Sequence, residues 1–357
     1  MNIAALVSGG VDSAVSVHLL KELGFNPDLF YIKIGPEKDK DWNCTSEEDI
    51  EICRWLSKKY GLKLEVVDLH EQYWDKVVKY TMDKAKLGLT PNPDVMCNKL
   101  IKFGCFEDLV GKNYDKIATG HYATTESING KVWLATSPDL VKDQTDFLCQ
   151  INFKQINKIV FPIGHLLKDN VREIATNNGL LNAKRKDSQG ICFLGNVDFR
   201  EYVKKYLGEN IGDVREIETG KKIGTHNGLW FYTIGQRKGL GFGGGPWFVV
   251  KKNVKRNILF VSHGYNPKMV YKKTVKLNDF HFITENPWME TNLNYPQSIM
   301  FKIRHTPEFI KGTITQNVDH TWTINSDDPI HGVAPGQFCV VYDERHHLCF
   351  GSGEITT

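Results

Sequence analysis

A chain of 357 residues, 41% hydrophobic and 24% charged, has an ordinary globular composition and is long enough for two or three domains. Its 45 Lys and Arg against 42 Asp and Glu leave a net charge of only +3, so a nucleic-acid partner has to be met by a local basic patch. No apolar run approaches the ~20 residues of a membrane span, and no basic n-region with a long apolar stretch opens the chain. The eight cysteines (Cys44, Cys53, Cys97, Cys105, Cys149, Cys192, Cys339, Cys349) include no Cys-x-x-Cys pair, which argues against a zinc ribbon, a ligated iron–sulfur cluster and a secreted disulfide framework. A cytoplasmic chain with free thiols is the expectation.

The apolar run 3–7 predicts a first strand that enters Ser8-Gly9-Gly10-Val11-Asp12-Ser13 directly. Residues 11–23 predict a helix with Val15, Leu19, Leu20 and Leu23 as its apolar stripe and Gly24 closing it. A strand over 29–34, a helix over 45–60 with acids in its first turn, a strand over 62–69 and a helix over 70–87 come next. That alternation implies a parallel sheet with helices on both faces, and ligands beyond the carboxyl ends of the strands, where the Ser8 loop falls. Thr90-Pro91-Asn92-Pro93-Asp94-Val95-Met96-Cys97 then precedes a helix that Cys97 opens and that runs to about residue 110. Ile117-Ala118-Thr119-Gly120-His121 reads as a strand end entering a loop, and helical pattern returns around 143–150 and 168–178.

Composition changes after Phe199-Arg200-Glu201-Tyr202. From Gly212 onward β-branched and aromatic residues dominate between Gly turns, including Gly235-Gln236-Arg237-Lys238-Gly239-Leu240-Gly241 and the alternating Phe338-Cys339-Val340-Val341-Tyr342. The expected fold is therefore α/β: a parallel-sheet catalytic domain (1–205), a small β-rich central module (206–271) and a C-terminal antiparallel β-barrel (272–357).

A strand that ends in a glycine pair and turns into a helix forms a bowl of backbone N–H groups at the positive end of the helix dipole, a setting for phosphate. Asp12 and Ser13 fall in the first helical turn, where an acid can hold Mg²⁺ and a hydroxyl can donate to an oxygen. The Lys that a Walker A loop places before its Ser is absent. Cys97, at the expected helix start, has a setting that lowers a thiol pKa, and Asp94 lies three residues before it. Cys192 lies in Asp187-Ser188-Gln189-Gly190-Ile191-Cys192-Phe193, after the basic run Lys184-Arg185-Lys186, which suits both a thiolate and RNA phosphates. Cys53, Cys105, Cys149 and Cys339 fall among apolar neighbours and read as packing; Cys44 and Cys349 lie in more polar surroundings.

The hexapeptide at Ser8 resembles the pyrophosphate loop of the ATP-pyrophosphatase superfamily, whose members cleave ATP between the α and β phosphates to adenylate a substrate. Together with Asn92-Pro93-Asp94…Cys97-Asn98-Lys99, Ala118-Thr119-Gly120-His121-Tyr122-Ala123, Lys142-Asp143-Gln144, the Cys192 segment and Gly235-Gln236-Arg237-Lys238-Gly239, it makes nearly the whole chain similar to the tRNA 2-thiouridylase family (MnmA type). The resemblance implies that Leu6, Val7, Ser8, Gly9, Gly10, Val11, Asp12 and Ser13, with Ile32 and Gly120, bind ATP with Mg²⁺. It implies that Asn92, Pro93 and Asp94 meet the target uracil, and that His121, Lys142, Asp143, Gln144, Arg304, His305 and Gln337 touch tRNA. Where this chain has Arg304-His305, the family usually has Arg-Tyr. Cys192 would carry a persulfide supplied by a donor or relay protein, and Cys97 would be the partner thiol in a transient Cys97–Cys192 disulfide.

The reaction so implied adenylates O2 of the wobble uracil (position 34), releases pyrophosphate and AMP, and places sulfur at C2. The β-rich modules would grip the anticodon stem-loop, with the target base flipped out. An amide-forming adenylating ligase would share the loop but has no use for two separated cysteines. A cytidine thiolase built on an iron–sulfur cluster would show the missing Cys-x-x-Cys, and a non-catalytic RNA-binding chain has no need of Asp12, Cys97 and Cys192.

Overall fold

The structure is a computed structural model describing residues 1–35, 46–187, 199–265, 268–289 and 295–356. Cys192 and the Ser188–Phe193 part of its motif lie outside the described residues, as does Cys44.

Strands β1 (Ile3–Leu6), β2 (Asp28–Lys33), β3 (Leu64–Asp68) and β4 (Lys116–Ala118) run parallel. After a hairpin of β5 (Thr124–Ile128) and β6 (Lys131–Ala135), β7 (Ile159–Val160) completes the sheet in the order β3-β2-β1-β4-β7. Side-chain alternation buries both faces. Ile3, Ala5 and Val7 pack with α1 (Val11–Glu22) and α2 (Ser46–Tyr60), while Ala4, Leu6, Phe30 and Ile32 face the helical stretches 70–86 and 93–109. Helix Phe199–Leu207 adds Tyr202 and Val203 to the second of these cores, and so spans the expected boundary at 205.

Two expectations are corrected locally. α1 is buried well beyond one stripe, with Ser13, Ser16 and His18 also enclosed, whereas Leu23 is its C-cap and lies exposed before Gly24. The helix expected to open at Cys97 opens at Pro93. Asn92 is its N-cap, accepting from Val95 N at 3.3 Å, and Pro93 takes the first helical position, where its missing N–H costs nothing. Cys97 is therefore one turn inside, with its own N–H directed at the Pro93 and Asp94 carbonyls instead of left free at a helix start.

The central module is a four-stranded sheet of β8 (Gly212–Glu216), β9 (Lys222–His226), β10 (Trp247–Asn253) and β11 (Ile258–His263), ordered β10-β11-β8-β9 over Val214, Leu229, Val249, Leu259 and Val261. Strands β12 (Tyr271–Phe282), β13 (Gln297–Lys302), β14 (Ile310–Gln316), β15 (Trp322–His331), β16 (Phe338–Tyr342) and β17 (Leu348–Ile355) form an antiparallel ring β12-β15-β14-β13-β16-β17 that β12–β17 pairing closes.

At its start β17 stays paired with β16 through Cys349 and Tyr342, while its other edge passes from β12 to the first domain, with Leu348 opposite Ala135 and Cys349 opposite Leu134. The β5–β6 hairpin thus continues the barrel sheet, and Trp133 lies in the barrel core with its ring 5.9 Å from that of Phe350. Removing so large a buried aromatic leaves a cavity, so Trp133→Ala is expected to cost about 3 kcal/mol or more. Thermal unfolding should report this as a lowered transition, and an unchanged transition would mean that the hairpin does not hold the barrel.

Candidate nucleotide and RNA site

The Ser8 loop is closed on itself by hydroxyls. Ser8 N donates to Ser13 Oγ at 3.2 Å and Ser13 Oγ donates to the Gly10 carbonyl at 3.0 Å. Gly9 has φ +74°, and a Cβ there would lie 2.9 Å from Asp49 Cα, so both its backbone and its neighbours require glycine. Its carbonyl accepts from Asn182 Nδ2 (2.8 Å) and Arg185 Nη1 (3.2 Å), and Arg185 also pairs with Asp49 at 2.6 Å. The central residue of the basic run 184–186 therefore braces the loop. Gly120, at the end of β4, packs on the first turn of α1, where a Cβ would lie 2.8 Å from Ser13 N. Leu6 and Ile32 in the sheet and Val7 just after β1 are buried, so a ligand at the loop could meet them only through their main chain.

Asp12 holds a lysine from far along the chain. Lys168 Nζ donates to Oδ1 at 2.7 Å and to Oδ2 at 2.9 Å, and Tyr122 OH donates to Oδ1 at 2.9 Å. Burial, with the Asp12 charge and hydrogen bond behind it, raises the Tyr122 pKa and keeps that phenol a donor. The same Lys168 ammonium lies 2.9 Å from Asp187, which also takes Lys142 at 2.7 Å and Arg172 at 2.6 Å. Burial pushes the Asp187 carboxyl up, but hydrogen bonds from Lys142 and Lys168 and their charges outweigh it and hold the pKa at about 2. Sequence reasoning assigns no role to Lys168, Tyr122 or Arg172. A lone lysine at a helix start carries no local signal, and only the fold brings it to Asp12.

Gln144 is laced to Tyr122 in both directions, its N–H donating to the Tyr122 carbonyl and its Oε1 accepting from Tyr122 N. Asp143 is fully buried, accepting from Ser137 N at 2.8 Å and Thr145 Oγ1 at 2.5 Å, 3.9 Å from the equally buried Lys302 Nζ. Burial raises its pKa to about 6 against those hydrogen bonds and the Lys302 charge. His121 is buried between Thr119 Oγ1 (2.8 Å) and Lys102 Nζ (3.5 Å). Burial and the lysine charge hold its pKa well below 6.5, so it is neutral. His121 thus sits between the Ser8 loop, through Gly120, and the helix that bears Cys97.

Three barrel residues reach different targets. Arg304 donates to the carbonyls of His331 and Gly332; Gln337 Nε2 donates to Thr90 O (2.9 Å) and Pro91 O (3.0 Å). His305 lies 3.0 Å from Asp146, with its ring centroid 4.6 Å from that of Phe147. Phe147 O accepts from Asn98, beside Cys97, which is 1% exposed. Cys53, Cys105, Cys149 and Cys339 are buried as expected; Cys349, expected in polar surroundings, is buried too, because β17 turns it into the core.

Three family models account for the chain: one described as tRNA methyl transferase HUP domain (residues 1–196), one as tRNA methyl transferase PRC-barrel domain (200–263) and one as Aminomethyltransferase beta-barrel domain (272–355). Over 356 residues and the full length of both chains, the sequence is 60% identical to tRNA-specific 2-thiouridylase MnmA 1 of Bacteroides thetaiotaomicron. It is 58% identical to the tRNA-specific 2-thiouridylase MnmA of Parabacteroides distasonis over 99% of each chain. The corresponding protein of Porphyromonas gingivalis is also 58% identical, over 100% of this chain and 99% of that one.

The hydrogen bond to Asp146 raises the His305 pKa above 6.5 against burial. Its contribution to stability is therefore complete below pH 6.5 and is lost as pH rises through the folded value. NMR titration should place the His305 midpoint above 6.5, and Asp146→Asn should lower it; a midpoint unmoved by that change would remove Asp146 as the cause.

Proposed function

Because the chain belongs to the tRNA-specific 2-thiouridylase family, and is an ATP-using tRNA-uridine 2-sulfurtransferase, we propose a division of labour among its residues. The observation that carries it is the segment 120–122, which touches the nucleotide loop through Gly120 and Tyr122 and the Cys97 helix through His121. One rigid piece of main chain thereby sets the adenylating end of the site against the sulfur end.

The Ser8–Ser13 turn takes the phosphates of ATP on its N–H groups. Lys168 supplies, from a distant helix, the positive charge that the loop itself lacks. Asp12 and Asp187 hold its ammonium in place, so stabilising the departing pyrophosphate requires little reorganisation. Mg²⁺ bound with a nucleotide uses one or two protein carboxylates beside phosphate oxygens; Asp12 is the carboxylate on the loop, and because both its oxygens accept from Lys168 it would hold the ion only by giving up part of that pairing. Among the described residues no group of three or more His, Cys, Asp or Glu is arranged to hold a metal. Magnesium arriving with ATP would add charge neutralisation at the phosphates.

Asn92, Pro93 and Asp94 receive the flipped wobble uracil of the anticodon stem-loop at the start of the Cys97 helix. His305, paired to Asp146 with its ring tilted against Phe147, and Arg304 face the RNA from the barrel. Asp143 is too deeply buried to touch RNA, so its part is to fix Lys142 and Gln144 on either side of it. After AMP transfer to O2, the terminal sulfur of a Cys192 persulfide goes to C2, AMP leaves with the former O2, and Cys97 takes the inner sulfur as a disulfide. The transferred atom leaves at the sulfide level, which balances oxidation of the two thiols. A persulfide donor or relay protein loads Cys192. Among the described residues no helix is long and apolar enough to cross a membrane, and we assign the enzyme to the cytoplasm.

Lys168→Met should lower tRNA-dependent pyrophosphate release by about 10²-fold, the scale of losing one preorganised charge partner, with tRNA binding retained. Normal pyrophosphate release would take Lys168 out of the phosphate site.

Cys97→Ser and Cys192→Ser should each stop thiolation while AMP transfer to tRNA survives. Mass spectrometry of wild-type peptides after persulfide loading should find the extra sulfur on the Cys192 peptide. Sulfur found mainly on Cys97 would reverse the two roles, and loss of AMP transfer in both variants would favour an adenylating site that needs the thiols directly.

A further inference from the structure

The segment 142–147 is stitched to the barrel at three places. Asp143 lies 3.9 Å from Lys302 Nζ at the end of β13, Thr145 Oγ1 lies 3.0 Å from Tyr342 OH on β16, and Asp146 meets His305 Nδ1 at 3.0 Å. Their neighbours Lys142 and Gln144 turn away from the barrel, to Asp187 and to Tyr122. On the barrel side, Lys302 is the last residue of β13, and Arg304 and His305 follow it after a single residue.

Of these ties, the one at Asp143 is sealed from water. Asp143 is 0% exposed and Lys302 1%, and the ammonium makes no hydrogen bond among the described residues. Its charge is met by the faces of the Phe309 ring (4.0 Å to the centre) and the Tyr342 ring (6.0 Å), and by the Asp143 carboxylate. A desolvated cation so placed depends on that carboxylate being ionised. A carboxylate can only accept, so Thr145 gives its hydroxyl proton to Asp143 and takes one from the Tyr342 phenol, which burial keeps protonated. Asp146, His305 and the buried Cys349 thiol also face Asp143.

We propose that Lys302 is a positioning residue for tRNA binding: through Asp143 it fixes Lys142 and Gln144 relative to Arg304 and His305, and it touches no RNA itself. The proposal rests on the thiolase reading, which gives those four residues to tRNA, and adds what holds them as one surface.

The test is equilibrium tRNA binding beside binding of ATP alone. Lys302→Met and Asp143→Asn should each weaken tRNA binding about tenfold, with ATP affinity within about twofold of wild type. The double variant should recover to within about threefold, because an amide at 143 accepts from Ser137 N and donates to Thr145 with no charge left buried on either side. Independent structural defects would instead add, so a loss of about a hundredfold in the double variant, or wild-type tRNA affinity in Lys302→Met, overturns the proposal. If these variants do not fold, the pH profile of tRNA binding decides. Asp143, whose pKa burial raises to about 6, is ionised above that pH and neutral below it, so binding should weaken as pH falls through about 6. His305 gains charge as pH falls, so the profile is read in His305→Gln, whose amide still donates to Asp146 and does not titrate. A profile that is flat, or that tightens toward acid, overturns the proposal. Wild-type protein that binds no tRNA would overturn the thiolase reading and the proposal with it.

Discussion

Two main-chain register pairs, Leu348 with Ala135 and Cys349 with Leu134, carry much of the architecture. Once β6 is a strand of the barrel sheet, the barrel cannot turn freely relative to the N-terminal domain. Its side chains then arrive at fixed addresses: Lys302 beside Asp143, His305 on Asp146, Gln337 across Thr90 and Pro91. The Trp133 anchor supplies the apolar burial that two backbone pairs alone would lack. A domain arrangement that looks like three beads on a chain is, at this seam, a continuous sheet.

Charge is organised by the same economy of partners. Lys168 stands between two carboxylates, one on the Ser8 loop and one immediately before the segment that carries Cys192. Lys142 and Arg172 complete the neutralisation of Asp187, so the cluster keeps that carboxylate ionised in a half-buried setting. Lys302 is held differently, 4.0 Å from the centre of the Phe309 ring and near Asp143, where burial makes each group depend on the other.

Much of this is legible in the sequence because it is local. The strand–glycine–helix turn, the alternating helices and strands and the two cysteine motifs are written in neighbouring residues, and the structure has the parallel sheet and the closed barrel that they imply. Where sequence and structure part, signals compete. The thiol motif draws the helix start to Cys97, although Asn92 before Pro93 is a cap-and-first-turn pair and names the true start. The β5–β6 hairpin is absent from the expected elements, although Asn129-Gly130 between β-prone flanks is a strong hairpin mark; both residues have positive φ, 51° and 76°. Lys168, Tyr122 and the bracing role of Arg185 have no local mark at all, since each acts across more than a hundred residues of chain.

Burial of four of the other thiols has a chemical consequence for a protein that transfers sulfur. Burial raises the Cys53 and Cys149 pKa values to about 12 and pushes those of Cys339 and Cys349 up as well. A thiol at 12 is ionised in only about one molecule in 10⁵ at neutral pH, and the thiol form neither attacks a persulfide nor accepts its sulfur at a useful rate. The packing that these four side chains provide therefore also silences them. A sulfane sulfur delivered to the surface meets no competing nucleophile among them, so the fold itself acts as the chemoselectivity filter.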